Sequence, residues 1–237
     1  MIRLWTAHSR TVSSKPSAAA ATPYHHGNLR NALIAEGRRA LEEVGAHELS
    51  LRYLARAVGV SEAAPSRHFA GKDGLLAAIA ADGFRDLATM RREILLADSP
   101  AMTKAYQMMH AYVDFARTHK GLFDLMIGPR LVARDLYPEL TDEGSKSFDL
   151  FATVIESAAQ ESAWPKRSLP LATHAAWSVE HGLATLILSD RVPRSSGAVP
   201  LDQMVHFTIS LFLSAIAAGP THLEGIMKTL PASSRRA

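Results

Sequence analysis

A chain of 237 residues, 47% of them hydrophobic and 21% charged, is long enough for one small domain and one larger one, and apolar enough to bury a core in each. It contains no cysteine, which removes disulfide frameworks, thiolate nucleophiles and zinc-finger or iron–sulfur ligation, and fits a reducing cytoplasm as the expected location. The net charge of +3 is unevenly spread: residues 1–92 carry 13 Lys and Arg against 8 Asp and Glu, whereas residues 93–237 carry 13 against 15, so any polyanion contact belongs to the front end.

Residues 1–23 mix Ser, Thr, Ala and Pro with Arg3, Arg10 and Lys15 and show no apolar period, so a flexible tail is expected, either without a role or as a basic arm. Its first residues, MIRLWTAHSR, lack the continuous apolar segment of a secretory signal. From His26 onward the pattern is helical. Leu33 or Ile34, Ala40 or Leu41, and Val44 recur at helical spacing before Gly45 offers a stop. Ser50 is placed to cap LRYLARAV, whose inward stripe is Leu51, Leu54, Ala55 and Val58, with Gly59 beyond. Ser61 is placed to cap a short third helix, EAAPSRHF, and a long fourth helix is expected from Lys72 and Asp73 to about Ala97.

Past Pro100, the steps of three and four in Met102, Ala105, Met109, Tyr112 and Ala116 predict a one-sided helix. Shorter helical pieces follow near Leu122 to Ile127 and Ser145 to Gln160, broken by GPR at 128–130 and by Trp164-Pro165. Leu169 to Leu188 and Leu201 to Ala218 are apolar around most of their circumference and must be covered on several sides, by the chain's own core or by a partner. The longest apolar runs, Leu183 to Leu188 and Phe207 to Ala218, fall short of the roughly 18 residues of a membrane span, so no membrane association is expected. With no alternating segment, the fold class is all-α: a tail at 1–23, a helix-turn-helix domain at 24–80, a helical domain at 81–230 and a short tail at 231–237.

The informative unit is LSLRYLARAVGVSEAAPSRHF, two short helices joined by a tight turn containing glycine. Such a unit sets its helices at a large angle and projects the second outward, where its first residues enter a major groove. Glu62, Ala63, Ala64, Ser66 and Arg67 are mostly short, so backbone and base edges can approach closely, while Leu51, Leu54, Ala55, Val58, Val60, Pro65 and Phe69 hold the pair together. Helix-turn-helix units also occur in purely structural roles.

The pattern L-S-L-R-x-L-A-x-x-x-G-V-S-x-x-x-x-x-x-H-F-x-x-K-D-x-L-L at residues 49–76 resembles the DNA-binding domain of the tetracycline-repressor (TetR) family. The lead-in YHHGNLRNALI, residues 24–34, is similar to openings of the branch whose C-terminal domain carries a Trp-His-Gly signature, here matched by Trp177, His181 and Gly182. The resemblance implies that Arg52 reaches a base edge and that Glu62, Ala63, Ala64 and Arg67 face the groove. It further implies that Ser50, Ser61, His68 and Lys72 hold phosphates, Lys72 aided by the positive end of the following helix. Arg56 is expected to stay solvated. One departure is Ser66, where the family usually has Tyr; its hydroxyl reaches less far.

By the same resemblance the larger domain binds a small-molecule effector and forms a homodimer, with the last two long helices as the expected interface and Gly182 allowing close approach. Trp177 and His181, one helical turn apart, are the effector-site candidates. Met108, Met109, Tyr112, Phe123, Met126, Phe148 and Phe151 are possible cavity walls, although residues of these types at helical spacing are more often core. His174 and His181, seven apart, do not make a metal motif by spacing, no nearby carboxylate makes one, and no cofactor is expected. The partners implied are operator DNA, an effector and a second copy of the chain, in a repressor. An all-α carrier or enzyme is the alternative, and against it stands the absence of a glycine-rich phosphate loop, HExxH or GxSxG.

Overall fold

The computed structural model describes residues 29–128, 133–192 and 199–229, and the expected tails at 1–23 and 231–237 lie outside them. Among the described residues the chain is all-α: α1 (Leu29–Glu48), α2 (Leu51–Ala57), α3 (Gly71–Leu96), α4 (Ala101–Thr118), α5 (Lys120–Ile127), α6 (Pro138–Glu161), α7 (Leu169–Leu188), α8 (Leu201–Ala217) and α9 (Pro220–Thr229).

The front helices form where the caps and the apolar spacing put them. α1 buries Leu29, Leu33, Ile34, Ala40 and Leu41, one face of a 3.6-residue repeat. Gly45 then adopts φ 76° and ψ 168°, which interrupts the helix, and Val44, expected to point inward, is 43% exposed. Ser50 is extended at the start of α2, and its Oγ accepts a hydrogen bond from the Tyr53 backbone N–H at 3.1 Å. Leu54 and Ala55 are buried, with Leu51, Val58 and Val60 packed partly buried against the same core.

The 26 residues of α3 span about 39 Å, and the helix joins both halves of the molecule. Leu75, Leu76, Ile79 and Phe84 share a core with α1, α2 and α5. The second core is built by Met108, Met109 and Val113 of α4, Phe151, Val154 and Ile155 of α6, Ala176 and Leu183 of α7, and Val205, Ile209 and Leu213 of α8. α6 begins seven residues earlier than the apolar pattern predicts, because Pro138 supplies a preset first-turn φ to a polar opening that shows no stripe.

Polar contacts seat the front helices on the larger domain. The Glu42 carboxylate accepts from the Gly121 and Leu122 N–H groups at 2.9 and 3.1 Å, satisfying orphan donors at the start of α5. A Cβ on Gly121 would lie 2.6 Å from the Leu41 carbonyl oxygen, so glycine is what permits this approach. Arg38 pairs with Asp82 and Asp86 at 2.8 and 2.5 Å, and Arg30 and Arg85 share Glu139.

The outer faces of the last helices stay uncovered. On α7, Leu171 is 73% exposed, and nothing lies within 4 Å of where a Cβ on Gly182 would sit. On α8, Phe207 and Leu211 are 66% and 58% exposed. No single helix among the described residues is long and apolar enough to cross a membrane.

Candidate functional site

The segment after Val60 is not the short α-helix that its capping pattern predicts. Only Pro65–Arg67 is helical, as a single 3-10 turn. The cause is Pro65: an α-helix started by Ser61 needs the residue-65 N–H on the Ser61 carbonyl, and proline has none. Instead the Ala64 N–H bonds to the Ser61 carbonyl at 3.0 Å, and Arg67 and His68 continue as tight turns onto Ala64 and Pro65. Ser61 thus contributes its carbonyl, and no side-chain cap bond forms at the turn.

The presentation of this segment matches the sequence expectation. Ser61, Glu62, Ala63, Ser66, Arg67 and His68 are exposed and Ala64 is half-buried, while Pro65 and Phe69 turn inward. Arg30 lies over the Phe69 ring at 5.8 Å, closing the inner side. Ser50, Arg52 and Tyr53 are exposed beside the segment, so the candidates from α2 and from the turn form one surface at the start of α3.

The charges on that surface are arranged in ways the sequence did not disclose. Arg56, expected to be solvated, bonds to the Glu62 carboxylate at 2.7 Å through Nη2 and at 3.0 Å through Nε. Arg52 meets the other carboxylate oxygen at 2.7 Å. The Arg56 hydrogen bond, with the nearby Arg52 charge, holds the Glu62 carboxyl below its usual range. Lys72 donates to the His47 carbonyl at 2.6 Å, tying the start of α3 to the end of α1.

At the other end of α3 lies a cavity of about 460 Å³, lined by Phe84, Leu87, Arg91, Tyr112, Phe148 and Trp177 among others. A second cavity of about 400 Å³ is lined by Phe123, His181, Thr185 and Leu188, and Ile127 borders both. Trp177 and His181 come together in the wall between them, their rings stacked 5.3 Å apart at 16°. The Tyr112 hydroxyl and His181 Nδ1 are 3.1 Å apart, and burial pushes the His181 pKa down, favouring the neutral ring. Of the other expected walls, Tyr112, Phe123 and Phe148 line a cavity, whereas Met108, Met109, Met126 and Phe151 are core.

Two residues that the sequence reading passed over dominate this region. Arg91 is 3% exposed and Glu180 0%, and Arg91 Nη2 donates to Glu180 Oε1 at 3.0 Å. Arg91 also donates to the Ser147 carbonyl and hydroxyl at 3.0 and 3.1 Å, and its guanidinium lies over the Tyr112 and Phe151 rings at 5.4 and 5.0 Å. Arg91 Nε and Glu180 Oε2 remain without hydrogen-bond partners. Burial pushes the Glu180 carboxyl up to about 8 despite the neighbouring guanidinium. A signal was available: Glu180 falls on the buried stripe of Ala172, Ala176 and Leu183, where a carboxylate requires an inward partner.

Comparison with known proteins agrees with this architecture. Residues 33–79 match the model of bacterial regulatory proteins of the tetR family, and residues 105–212 match a tetracyclin repressor-like C-terminal domain, a span that includes Trp177, His181 and Gly182. No curated protein matches the chain. A protein of unknown function from Rhodococcus sp. RHA1 is 34% identical, with a TM-score of 0.70 over 83% of this chain and 100% of its own. The TetR family transcriptional regulator PfmR from Thermus thermophilus shares the fold at 17% identity, TM-score 0.56, covering 77% of this chain and 97% of its own. FadR from Bacillus subtilis, solved with stearoyl-CoA, shares it at 13% identity, TM-score 0.62, covering 78% and 97%. With both domain models matched in order along one all-α chain, this protein belongs to the TetR family of regulators.

Proposed function

We propose that the chain is a ligand-responsive transcriptional repressor that binds palindromic operator DNA as a homodimer and leaves it when a small-molecule effector enters the larger domain. One observation carries this proposal: a single helix, α3, starts directly after the segment holding Ser61 to His68 and places Arg91 in the wall of the cavity in the larger domain. Lys72 and Arg91 are 19 residues apart, about 28 Å along a continuous helix, so a tilt imposed at one end is delivered to the other.

Direct base contacts are assigned to Arg52, Glu62, Ala63, Ala64 and Arg67, and backbone contacts to Ser50, Ser61, Ser66, His68 and Lys72. Ser50 Oγ already accepts from Tyr53, but its hydroxyl hydrogen remains available to a phosphate. Lys72 gives one of its three N–H donors to the His47 carbonyl and keeps the others for a phosphate. The exposed apolar faces of α7 and α8, with Leu171, Phe207 and Leu211, support pairing of two chains as a four-helix arrangement. Such a pair sets its two reading segments on successive major grooves, about 34–36 Å apart. The effector site is assigned to the two cavities flanking Trp177 and His181. That FadR from Bacillus subtilis was solved with stearoyl-CoA supports a small-molecule role for a body of this fold.

The test is a gel-shift titration with the intergenic DNA upstream of the gene at two salt concentrations. Binding that prefers one fragment over a scrambled duplex and weakens steeply with salt is expected; salt-insensitive or sequence-blind behaviour sinks the proposal.

A further inference from the structure

An acidic side chain on a surface meant for a polyanion needs a reason, and Glu62 is such a side chain. Both of its oxygens are taken: Oε2 faces Arg52 Nε at 2.7 Å, and Oε1 accepts from Arg56 Nη2 and Nε at 2.7 and 3.0 Å. The two arginines are each 68% exposed and Glu62 is 43% exposed, so these pairs exchange for other partners at little cost. Glu62 belongs to neither core, which leaves it no packing role.

The chemistry of base edges supplies a role. In the major groove a cytosine presents its N4 amino donor, and the guanine paired with it presents the O6 and N7 acceptors. A carboxylate held beside a guanidinium complements that base pair; adenine N6 also donates, but its pair lacks the O6 and N7 acceptors that a guanidinium binds together. We propose that Glu62 is a specificity-determining residue of the DNA-reading surface. In the free protein it neutralises Arg52 and Arg56 and so weakens their attraction to any phosphate. At the operator its carboxylate accepts from the N4 amine of a cytosine, Arg52 turns to O6 and N7 of the paired guanine, and Arg56 passes to the backbone. Opposite guanine or thymine the carboxylate meets acceptor edges and repels, and opposite adenine it gains one bond while Arg52 loses its two-acceptor contact. This inference rests on the proposal that the chain binds operator DNA.

The experiment is selection and sequencing of duplexes from a randomised pool with the full-length protein, with Glu62→Gln and with Glu62→Asp, together with binding to random duplex at several salt concentrations. The unaltered protein is expected to select cytosine at one position of each half-site, and Glu62→Asp to retain it. Glu62→Gln is expected to select adenine there, because a carboxamide matches adenine N6 and N7. The same variant should bind random duplex more tightly, with a salt slope steeper by about one, and lose about tenfold in preference for the operator. Thermal melting of Glu62→Gln is expected to be unchanged, as befits an exposed side chain. An identical base preference in all three proteins, or uniformly weaker binding by Glu62→Gln, overturns the inference while leaving operator binding intact. A protein that selects no sequence at all overturns both.

Discussion

Arg91 and Glu180 meet 3.0 Å apart in the interior and join α3, which begins beside the proposed DNA-reading segment, to α7, which carries Trp177 and His181. A guanidinium and a carboxyl removed from water together stabilise a fold only weakly against an apolar alternative, but either partner left alone is costly. Arg91→Ala, which leaves the Glu180 carboxyl buried without its partner, should therefore destabilise the protein by about 1–3 kcal/mol, whereas Arg91→Met combined with Glu180→Leu should recover most of that loss. Urea unfolding of the two variants checks this. Equal destabilisation by both would mean that the two residues do more than satisfy each other's polar atoms.

The same pair makes stability depend on pH. The Glu180 carboxyl is pushed up to about 8 in the folded chain from an ordinary value of 4.5, so between those limits the folded state holds a proton that the unfolded state gives up. Its stabilising contribution is complete below about pH 4.5 and is lost as pH rises towards 8. His181, whose neutral form burial favours, works in the opposite direction, so the difference between proteins isolates Glu180. Melting temperatures taken from pH 5 to pH 8 should fall more steeply for the unaltered chain than for Glu180→Gln. Parallel curves would contradict the assignment.

On the reading surface two cations are expected to behave differently. Arg67→Ala should cost about 1–3 kcal/mol on the preferred operator and little on other DNA, because it removes a base contact. Lys72→Ala should weaken every sequence alike and reduce the salt slope by about one, because it removes a phosphate contact. Since Lys72 also bonds to the His47 carbonyl, a melting curve must accompany that variant. Anisotropy titrations on matched and scrambled duplexes separate the cases, and identical profiles for both variants would refute the roles.

The uncovered face of α8 gives a third kind of test. Phe207→Glu with Leu211→Glu places two carboxylates where a second copy is proposed to pack, while Ile209 and Leu213 keep the inner face intact. Sedimentation velocity should report a dimer for the unaltered protein and a folded monomer for the double variant. A dimer that survives both substitutions would move the interface elsewhere.

Much of this was legible in the residues because it is local. Ser50 as a cap, Gly59 at φ +74° after α2 and the inward Leu54 and Ala55 follow from near-neighbour chemistry, and so does the exposure of Ser61 to Ala63 and of Ser66 to His68. The segment's 3-10 form is less legible, because the weight of one missing N–H at Pro65 depends on where in a two-turn helix it falls. Arg91 and Glu180 were missed for a different reason. They are 89 residues apart, and each looks locally like an ordinary surface charge until its register on a buried stripe is followed. The clasp of Arg52 and Arg56 on Glu62 likewise spans the turn, beyond the four-residue spacing at which helical ion pairs are read.

Operator binding by a paired molecule requires its two reading segments to sit one duplex turn apart. Because the chain has no cysteine, Ala70→Cys introduces a single attachment point for a spin label at the exposed start of α3, and pulsed electron resonance then measures the label-to-label distance in the dimer. With the selected operator bound, one narrow distribution is predicted, compatible with segments about 34–36 Å apart centre to centre. No dipolar coupling between labels on operator-bound protein, or a spacing that cannot place both segments on one side of a duplex, would contradict it.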